Sequence, residues 1–186
     1  MQEKEYKILI QDIQGLLDNL CKDDRIKYHI NPVVKIASTI AKEMNADVQV
    51  VEIASYLHDI TKMTGDRKTH HLTGAQYAEN FLNNYNIEEE KIKQIKNCIL
   101  KHRGSSEFIR NTTEEKIVAT ADAVAHIKHP LTLFYAWYGK RQCEIDKGAD
   151  GIINKLERSW NKIEFPYIKD KLKDEYSILM NILKER

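Results

Sequence analysis

Apolar residues recur every three or four positions along most of this 186-residue chain, and that spacing is its strongest structural constraint. Leu9, Ile13 and Leu16 follow the spacing near the start, and Ile95 and Ile99 follow it near the centre. Such a period places the side chains on one face of an α-helix. No segment alternates strongly between apolar and polar residues, as a half-buried strand would. With only seven glycines and three prolines, the chain is predicted to be all-α, with long helices and short loops.

Capping signals divide the periodic segments into separate helices. Asp47 is placed to cap a helix over residues 48–61, and Asp150 is placed to cap a later one. Thr112 and Glu115 form the spacing of a capping box, in which each side chain bonds the other's backbone N–H. A chain of this length supports one well-filled core, so a single domain is predicted.

The charges of the chain nearly balance, with 29 Lys and Arg against 28 Asp and Glu and a formal net charge of +1. Proteins that bind nucleic acids or membrane surfaces by general electrostatic attraction usually carry a basic excess. The composition therefore argues against both kinds of partner. A small anionic substrate stays compatible with it, because a local pocket can be basic on a nearly neutral protein.

The three cysteines, Cys21, Cys98 and Cys143, are odd in number, far apart and without a CxxC pair. Neither a disulfide framework nor a thiolate metal site is expected from them. The first residues contain no apolar signal-peptide segment, and no uninterrupted apolar run approaches the length that spans a membrane. Since reduced thiols are typical of the cytosol, a cytoplasmic protein is predicted.

Three polar residues interrupt the apolar stripes at positions that should face a core. His58 follows Ala54 at helical spacing, His102 continues the stripe of Ile99, and Asp122 lies inside the segment ATADAVAH. A buried carboxylate is costly unless it is paired or bound to a metal. Taken alone, each histidine is more simply interpreted as a hydrogen-bonded core residue than as a metal ligand. The aspartate alone fits an interior salt bridge as well as it fits a metal site.

The alternative is a shared metal ion, which would offset the burial of several such residues together. Imidazole and carboxylate donors suit Mn, Fe, Ni, Co, Zn or Mg. Adjacent side chains on a helix diverge by about 100°, so His58 and Asp59 reach one ion only if it lies between their directions. His29, which precedes a helix predicted to start at Asn31, and Asp122 would then complete the site from neighbouring helices.

The order His, His-Asp, Asp resembles that of the HD superfamily of metal-dependent phosphohydrolases. The matching segments are YHINPVVKIASTIA, EIASYLHDITK and IVATADAVAH, and HHLTGAQYAENFL and ILKHRG resemble extra histidine motifs of bacterial and archaeal members. The resemblance implies an HD helical bundle as a single domain over residues 1–186. Its core would cover about residues 25–128, after an additional N-terminal helix, and a helical extension would cover about 130–186.

The same resemblance implies the roles of individual residues in a phosphohydrolase that uses metal-activated water. Asp59 would also orient or deprotonate the attacking water, and Lys62 would balance charge on the phosphate. His70 is preferred over His71 because it stands four residues before Gly74, as in the family's H-x-x-x-G-A pattern. The implied metal ligands are His29, His58, Asp59 and Asp122, with His70 and His102 available for a second metal or the substrate phosphate. Arg103, beside His102, is a further candidate for binding the phosphate.

Several functions remain open from the sequence. The leading prediction is hydrolysis of a phosphate ester or anhydride, with a nucleotide as the expected partner and one or two divalent ions as cofactor. A dinucleoside polyphosphate hydrolase with two metal ions is an alternative, although Arg103 follows His102 where that family prefers Thr. A non-catalytic metal- or nucleotide-binding module is another alternative. The aromatic segment LTLFYAWYG at 131–139 also leaves a homo-oligomer open.

Overall fold

Helices form all of the regular structure in the computed structural model, which describes residues 1–104 and 108–185. No strand occurs in these two ranges, so the all-α prediction is confirmed. Two π-helical turns, Ile26–Ile30 and Tyr135–Lys140, continue into or out of α-helices. The α-helices are α1 Glu3–Leu20, α2 Asn31–Glu43, α3 Val48–Leu57, α4 Ile60–Met63, α5 His70–Leu82, α6 Glu89–Lys101, α7 Thr113–Lys128, α8 Leu131–Phe134, α9 Ile145–Lys162 and α10 Pro166–Lys184.

Helix α7 is the centre of the bundle. Every residue from Ile117 to Ile127 is buried, so the helix has no face turned to solvent over that stretch. The helices α2, α3, α6, α9 and α10 all pack against it. The predicted capping box forms at its start, where Thr112 accepts from the backbone N–H of Glu115 and Glu115 bonds the backbone of Thr112 in return.

The chain enters α2 through a π-helical turn and not through a cap at Asn31. The backbone N–H of Asn31 bonds the carbonyl of Ile26, a spacing of five residues. Asn31 is the first residue of α2, as predicted, but it lies inside a continuous helical path and does not cap the helix with its side chain. The wider turn contains His29 and buries it, and π-helical turns of this kind are frequent at functional sites.

The predicted helix over residues 48–61 is interrupted after Leu57. Asp47 caps it as predicted, since its carboxylate accepts from the backbone N–H of Val50. The backbone leaves helical geometry at Asp59, which has φ −114° and ψ 16°, before α4 begins. This break turns the side chain of Asp59 away from the direction that it would take in an unbroken helix.

The C-terminal segment begins its long helix earlier than the cap signal at Asp150 predicted. Helix α9 starts at Ile145, and Asp150 lies inside it. Two glycines in α9 allow close packing: a Cβ atom on Gly148 would lie 2.2 Å from the ring of Tyr138, and one on Gly151 would lie 2.2 Å from the ring of Trp137. None of the helices in the described ranges combines the length and apolar character that crossing a membrane requires.

Candidate metal centre

Four side chains predicted as metal ligands meet beside the central helix. His29 comes from the first π-helical turn and His58 from the end of α3, while Asp59 lies in the break and Asp122 in α7. Nε2 of His29 lies 3.2 Å from Oδ1 of Asp122 and 3.7 Å from Oδ2 of Asp59. Nε2 of His58 lies 3.6 Å from Oδ2 of Asp59 and 3.8 Å from Oδ1 of Asp122. All four side chains are buried, so helix packing brings the predicted set into one cluster.

The second oxygen of Asp59 faces two further histidines. Its Oδ1 atom lies 3.7 Å from Nε2 of His70 and 3.4 Å from Nε2 of His102. His71 lies to the side of this group, with its ring against Phe108. Asp59 thus stands between two groups of imidazoles, one at each carboxylate oxygen, and His70 rather than His71 belongs to the cluster.

Backbone hydrogen bonds determine which ring nitrogen of these histidines faces the cluster. Nδ1 of His58, His70 and His102 lies 2.7, 3.2 and 2.5 Å from the carbonyl oxygen three residues earlier in the chain. A carbonyl oxygen only accepts, so Nδ1 is the donor and carries the proton. Nε2 then keeps its lone pair in the neutral ring, which is the form that binds a metal.

The ionisation of the histidines differs with their neighbours. Burial lowers the pKa of His58 to about 4. Burial, with Lys62 adding to it, lowers the pKa of His70 to about 3, so both rings are neutral at neutral pH. Burial also opposes charge on His29, but the carboxylates of Asp122 and Asp59 outweigh it and raise the pKa of that ring.

Three buried atoms in the cluster have no hydrogen-bond partner among the described residues: Nε2 of His58, Oδ1 of Asp59 and Oδ1 of Asp122. The two oxygens have ion-pair contacts, Asp59 Oδ1 with Lys62 and Asp122 Oδ1 with His29, whereas the Nε2 lone pair of His58 faces only carboxylates. An unsatisfied buried polar atom costs about 1–3 kcal/mol, so this nitrogen calls for an explanation. Donor atoms of His29, His58 and Asp59 all lie within 4.8 Å of one another, as do those of Asp59, His70 and His102. This set of nitrogen and carboxylate donors fits one or two divalent cations.

Two lysines balance the charge of the buried aspartates. Lys62 Nζ lies 2.7 Å from the carboxylate of Asp59, and Lys162, from α9, donates to Oδ2 of Asp122. Burial alone would raise the pKa of both aspartates, but these ammonium groups and the neighbouring histidines hold each pKa well below its usual value. Both carboxylates are therefore ionised at neutral pH and able to bind a cation.

Sequence reasoning missed Lys162, although a signal for it existed. The buried stripe of α9 runs through Ile152, Leu156 and Ser159, and Lys162 continues that spacing while remaining only 7% exposed. This is the same pattern of a polar residue on an apolar stripe that identified His58. Helix α9 lies outside the region of family resemblance, so no family motif points to Lys162.

His126, one turn after Asp122 on α7, contacts two members of the cluster, Asp122 and His29. Its Nδ1 donates to the backbone carbonyl of Asp122 at 2.6 Å, and its ring centre lies 4.7 Å from that of His29. Burial, with Lys155 adding to it, holds the pKa of His126 well below its usual value. His126 is therefore neutral and holds α7 and the first π-helical turn in contact at the site.

The cluster opens into a cavity of about 780 Å³. Nine lysine and arginine side chains line this cavity against four aspartates. Arg103 is among them, and it donates to the carbonyl of Lys68 at 2.7 Å. Lys155 is another, and burial lowers its pKa to about 7, with Asp122 opposing and Lys162 adding to that shift. The expectation that a nearly neutral chain can hold a basic pocket is confirmed.

Fold and site together define an all-helical protein with a buried His/Asp cluster of metal-binding chemistry. The family model of the HD domain matches residues 26–127, which is more than half of the chain. The chain belongs to the HD-domain family, and the family resemblance drawn from the sequence is confirmed.

One curated relative is tRNA (cytidine(56)-2'-O)-methyltransferase from Thermoplasma volcanium. It is 33% identical to this chain over 132 residues, which are 64% of this chain and 38% of the relative. The chain thus spans well under half the length of that protein, and the likeness does not carry over the activity that its name describes.

Solved structures resemble nearly the whole chain, including the C-terminal helices. Bacillus subtilis YpgQ matches with a TM-score of 0.72 and 21% identity over 98% of this chain and 93% of YpgQ. A structure of YpgQ in complex with ADP matches with a TM-score of 0.70 and 19% identity over 94% and 93%. A predicted HD superfamily hydrolase from an uncultured Thermotogales bacterium matches with a TM-score of 0.65 and 20% identity over 94% and 89%.

Proposed function

We propose that the protein is a metal-dependent phosphohydrolase that cleaves a phosphate ester or anhydride of a nucleotide. The observation that carries the proposal is the buried cluster around Asp59, whose two oxygens each face a pair of imidazole nitrogens. Its unsatisfied donor atoms and the basic cavity beside it combine the two requirements of this chemistry, a cation site and an anion site. The cleavage itself adds water across a phosphorus–oxygen bond.

The proposed ligands for the first ion are His29, His58, Asp59 and Asp122. Asp59, with His70 and His102, would hold a second ion on its other side, and this donor set favours the two-metal version that a dinucleoside polyphosphate hydrolase would use. A bound divalent cation supplies Lewis-acid polarisation of a phosphoryl oxygen and lowers the pKa of an adjacent water molecule. The mixture of imidazole and carboxylate suits Mn, Fe, Ni, Co or Zn better than Mg, which prefers oxygen donors.

The remaining site residues would bind and orient the substrate and the water. The pKa of Asp59 is held so low that this carboxylate is better suited to orienting a water molecule than to accepting its proton. Lys62, beside Asp59 and at the cavity wall, would balance the negative charge that grows on the phosphate oxygens. Arg103 is held through one nitrogen by the carbonyl of Lys68, which leaves its other donors for a phosphate.

A nucleotide is the proposed substrate class because the cavity combines basic side chains with exposed aromatic and aliphatic ones. The complex of YpgQ with ADP, a protein of the same fold, supports this class. The free cysteines Cys21, Cys98 and Cys143 support a reducing compartment, and we propose that the reaction takes place in the cytoplasm.

The first test is metal analysis of the purified protein, followed by hydrolysis assays over nucleotides and sugar phosphates with and without added Mn²⁺. Asp59→Ala is expected to lose bound metal and to lower kcat/KM more than about a hundredfold. Loss of a residue that only orients a metal ligand typically lowers activity by about ten- to a hundredfold, and loss of the ligand itself should lower it further. Circular dichroism is expected to retain the helical signal. Asp18→Ala, an exposed change on α1, is the matched control and should leave both measurements unchanged.

Two results would change the proposal. Bound metal without hydrolysis of any compound would favour a non-catalytic metal- or nucleotide-binding module. Full hydrolysis by Asp59→Ala with normal metal content would remove Asp59 from the ligand set.

A further inference from the structure

Positive charge is concentrated in the cavity of a chain that is almost neutral overall. Its lining contains nine basic side chains and four aspartates, whereas the whole chain has a formal net charge of +1. A concave surface with one dominant sign of charge concentrates ligands of the opposite sign. Because metal binding at the aspartates would add further positive charge, the ligand that suits this cavity carries several negative charges.

Internal ion pairs use less than half of this positive charge. Three of the four aspartates form ion pairs with four of the basic groups, and within residues 1–104 and 108–185 no carboxylate lies at ion-pair distance from the other five. Two of these five, Lys155 and Arg158, are neighbours on α9. The pairs are Asp23 with Arg25 and Lys140, Asp59 with Lys62, and Asp122 with Lys162.

The basic side chains of α9 form a stripe that begins at the His/Asp cluster. Lys155, Arg158 and Lys162 are spaced by three and four residues, so they share one face of the helix, and all three line the cavity. Lys162 marks the cluster end because it binds Asp122. At 1.5 Å per residue, the stripe extends about 10 Å along the helix axis, which is longer than a single phosphate group.

Another part of the cavity lining is apolar and exposed. Tyr28, Leu131 and Tyr135 are 39%, 66% and 57% exposed, and all three line the cavity. Two tyrosine rings and an aliphatic side chain provide the surface on which a nucleobase packs or stacks. The cavity therefore offers an apolar surface in addition to its row of cations.

We infer that the ligand of this cavity is a nucleoside polyphosphate, and that Lys155 and Arg158 bind the phosphate farther from the His/Asp cluster. The inference rests on the proposed function in assigning the nearer phosphate to that cluster. A nucleoside monophosphate would leave Lys155 and Arg158 without an anionic partner. These two residues therefore determine the preference for two or more linked phosphates, and they come from a helix outside the HD-domain match.

Calorimetric titration of the Mn²⁺-supplemented protein tests the inference without depending on turnover. The probes are AMP and the α,β-methylene analogue of ADP, whose P–C–P bridge resists hydrolysis. The wild-type protein is expected to bind the analogue at least about tenfold more tightly than AMP. Lys155→Gln and Arg158→Gln are each expected to weaken binding of the analogue about tenfold to a hundredfold, and binding of AMP less than about threefold. Lys147→Gln, an exposed lysine of α9 outside the cavity, is the matched control.

Equal affinity of the wild-type protein for AMP and the analogue would overturn the inference, and so would variants that weaken both probes alike or neither. The hydrolysis assay separates this failure from failure of the proposed function. Cleavage of monophosphates without any preference for the analogue rejects the inference alone. Selective binding of the analogue without cleavage of any nucleotide rejects the hydrolase proposal and leaves the inference standing.

Discussion

At the scale of single residues, buried charges of the site are paired between residues that are distant in the sequence. Asp122 from α7 and Lys162 from the end of α9 are 40 positions apart, and both are buried. Each neutralises the other in the metal-free protein, so neither charge is left alone in a low-dielectric environment. The lysine therefore allows a carboxylate suited to metal binding to remain ionised inside the fold before any cation binds.

Removing one member of this pair is predicted to be more harmful than removing both. Asp122→Ala leaves Lys162 buried and unpaired, so the free energy of unfolding of the metal-free protein should fall by about 3–5 kcal/mol. The double variant Asp122→Ala/Lys162→Met should recover most of that loss, because neither charge of this pair remains. Urea unfolding in EDTA measures both values. A double variant no more stable than Asp122→Ala would contradict the pairing argument.

At the scale of elements, the start of α3 and the break that ends it have different origins. Asp47 determines where the helix begins, through its bond to the backbone N–H of Val50 and its ion pair with Lys91 at 3.0 Å. The local sequence predicts a helix through residue 61, so it does not predict the break after Leu57. Packing of α3 beside α6 and α7 accompanies that break, which presents His58 and Asp59 to the same centre.

Asp47→Ala is predicted to lower the free energy of unfolding by about 1 kcal/mol, the usual value of an N-cap. Asp47→Asn is the matched control, since it keeps the accepting oxygen and should lose only the weak ion pair. Chemical unfolding at neutral pH compares the two variants. A loss for Asn as large as the loss for Ala would show that charge, and not capping, provides the stabilisation.

The same residue predicts a dependence of stability on pH. Burial opposes ionisation of Asp47, but the N–H of Val50 and Lys91 outweigh it and lower the pKa of the carboxyl from its ordinary value of 3.8. Its contribution is therefore complete above that value and is lost as pH falls through the lower pKa of the folded protein. Stability curves of the wild-type protein and Asp47→Asn should converge below pH 3.8. A constant difference between them would contradict this assignment.

At the scale of the whole molecule, the C-terminal helices complete the cavity that the HD-matching region begins. Helix α9 packs against α7 and against the second π-helical turn. Gly151 provides the close approach, because any side chain there would overlap the ring of Trp137. Lys155 follows one turn later, so the position of this basic side chain depends on that contact.

Gly151→Ala is predicted to lower the free energy of unfolding by about 1–3 kcal/mol, because the Trp137 ring or the helix has to move. Gly15→Ala is the opposite control: its site on α1 is open and helical, so alanine should add about 0.4–1 kcal/mol. Thermal or chemical unfolding of both variants provides the comparison. A neutral or stabilising effect of Gly151→Ala would mean that α9 is not held this close to the ring of Trp137.

The amino-acid sequence by itself determined the all-helical class, the caps at Asp47 and Thr112, and the ordered set of His29, His58, Asp59 and Asp122. These features follow from local rules, since helical period and capping depend on residues within a few positions of one another. The family order of the site residues added the expectation that they meet.

Only the tertiary structure decided the π-helical turn at His29, the break at Asp59, and the early start of α9. It also brought Lys162 to Asp122 and Lys155 into the cavity, which no local pattern connects. The physical reason is that such contacts join residues tens of positions apart. Their geometry is set by how whole helices pack, and burial of side chains on several helices at once overrides the preference of any single segment.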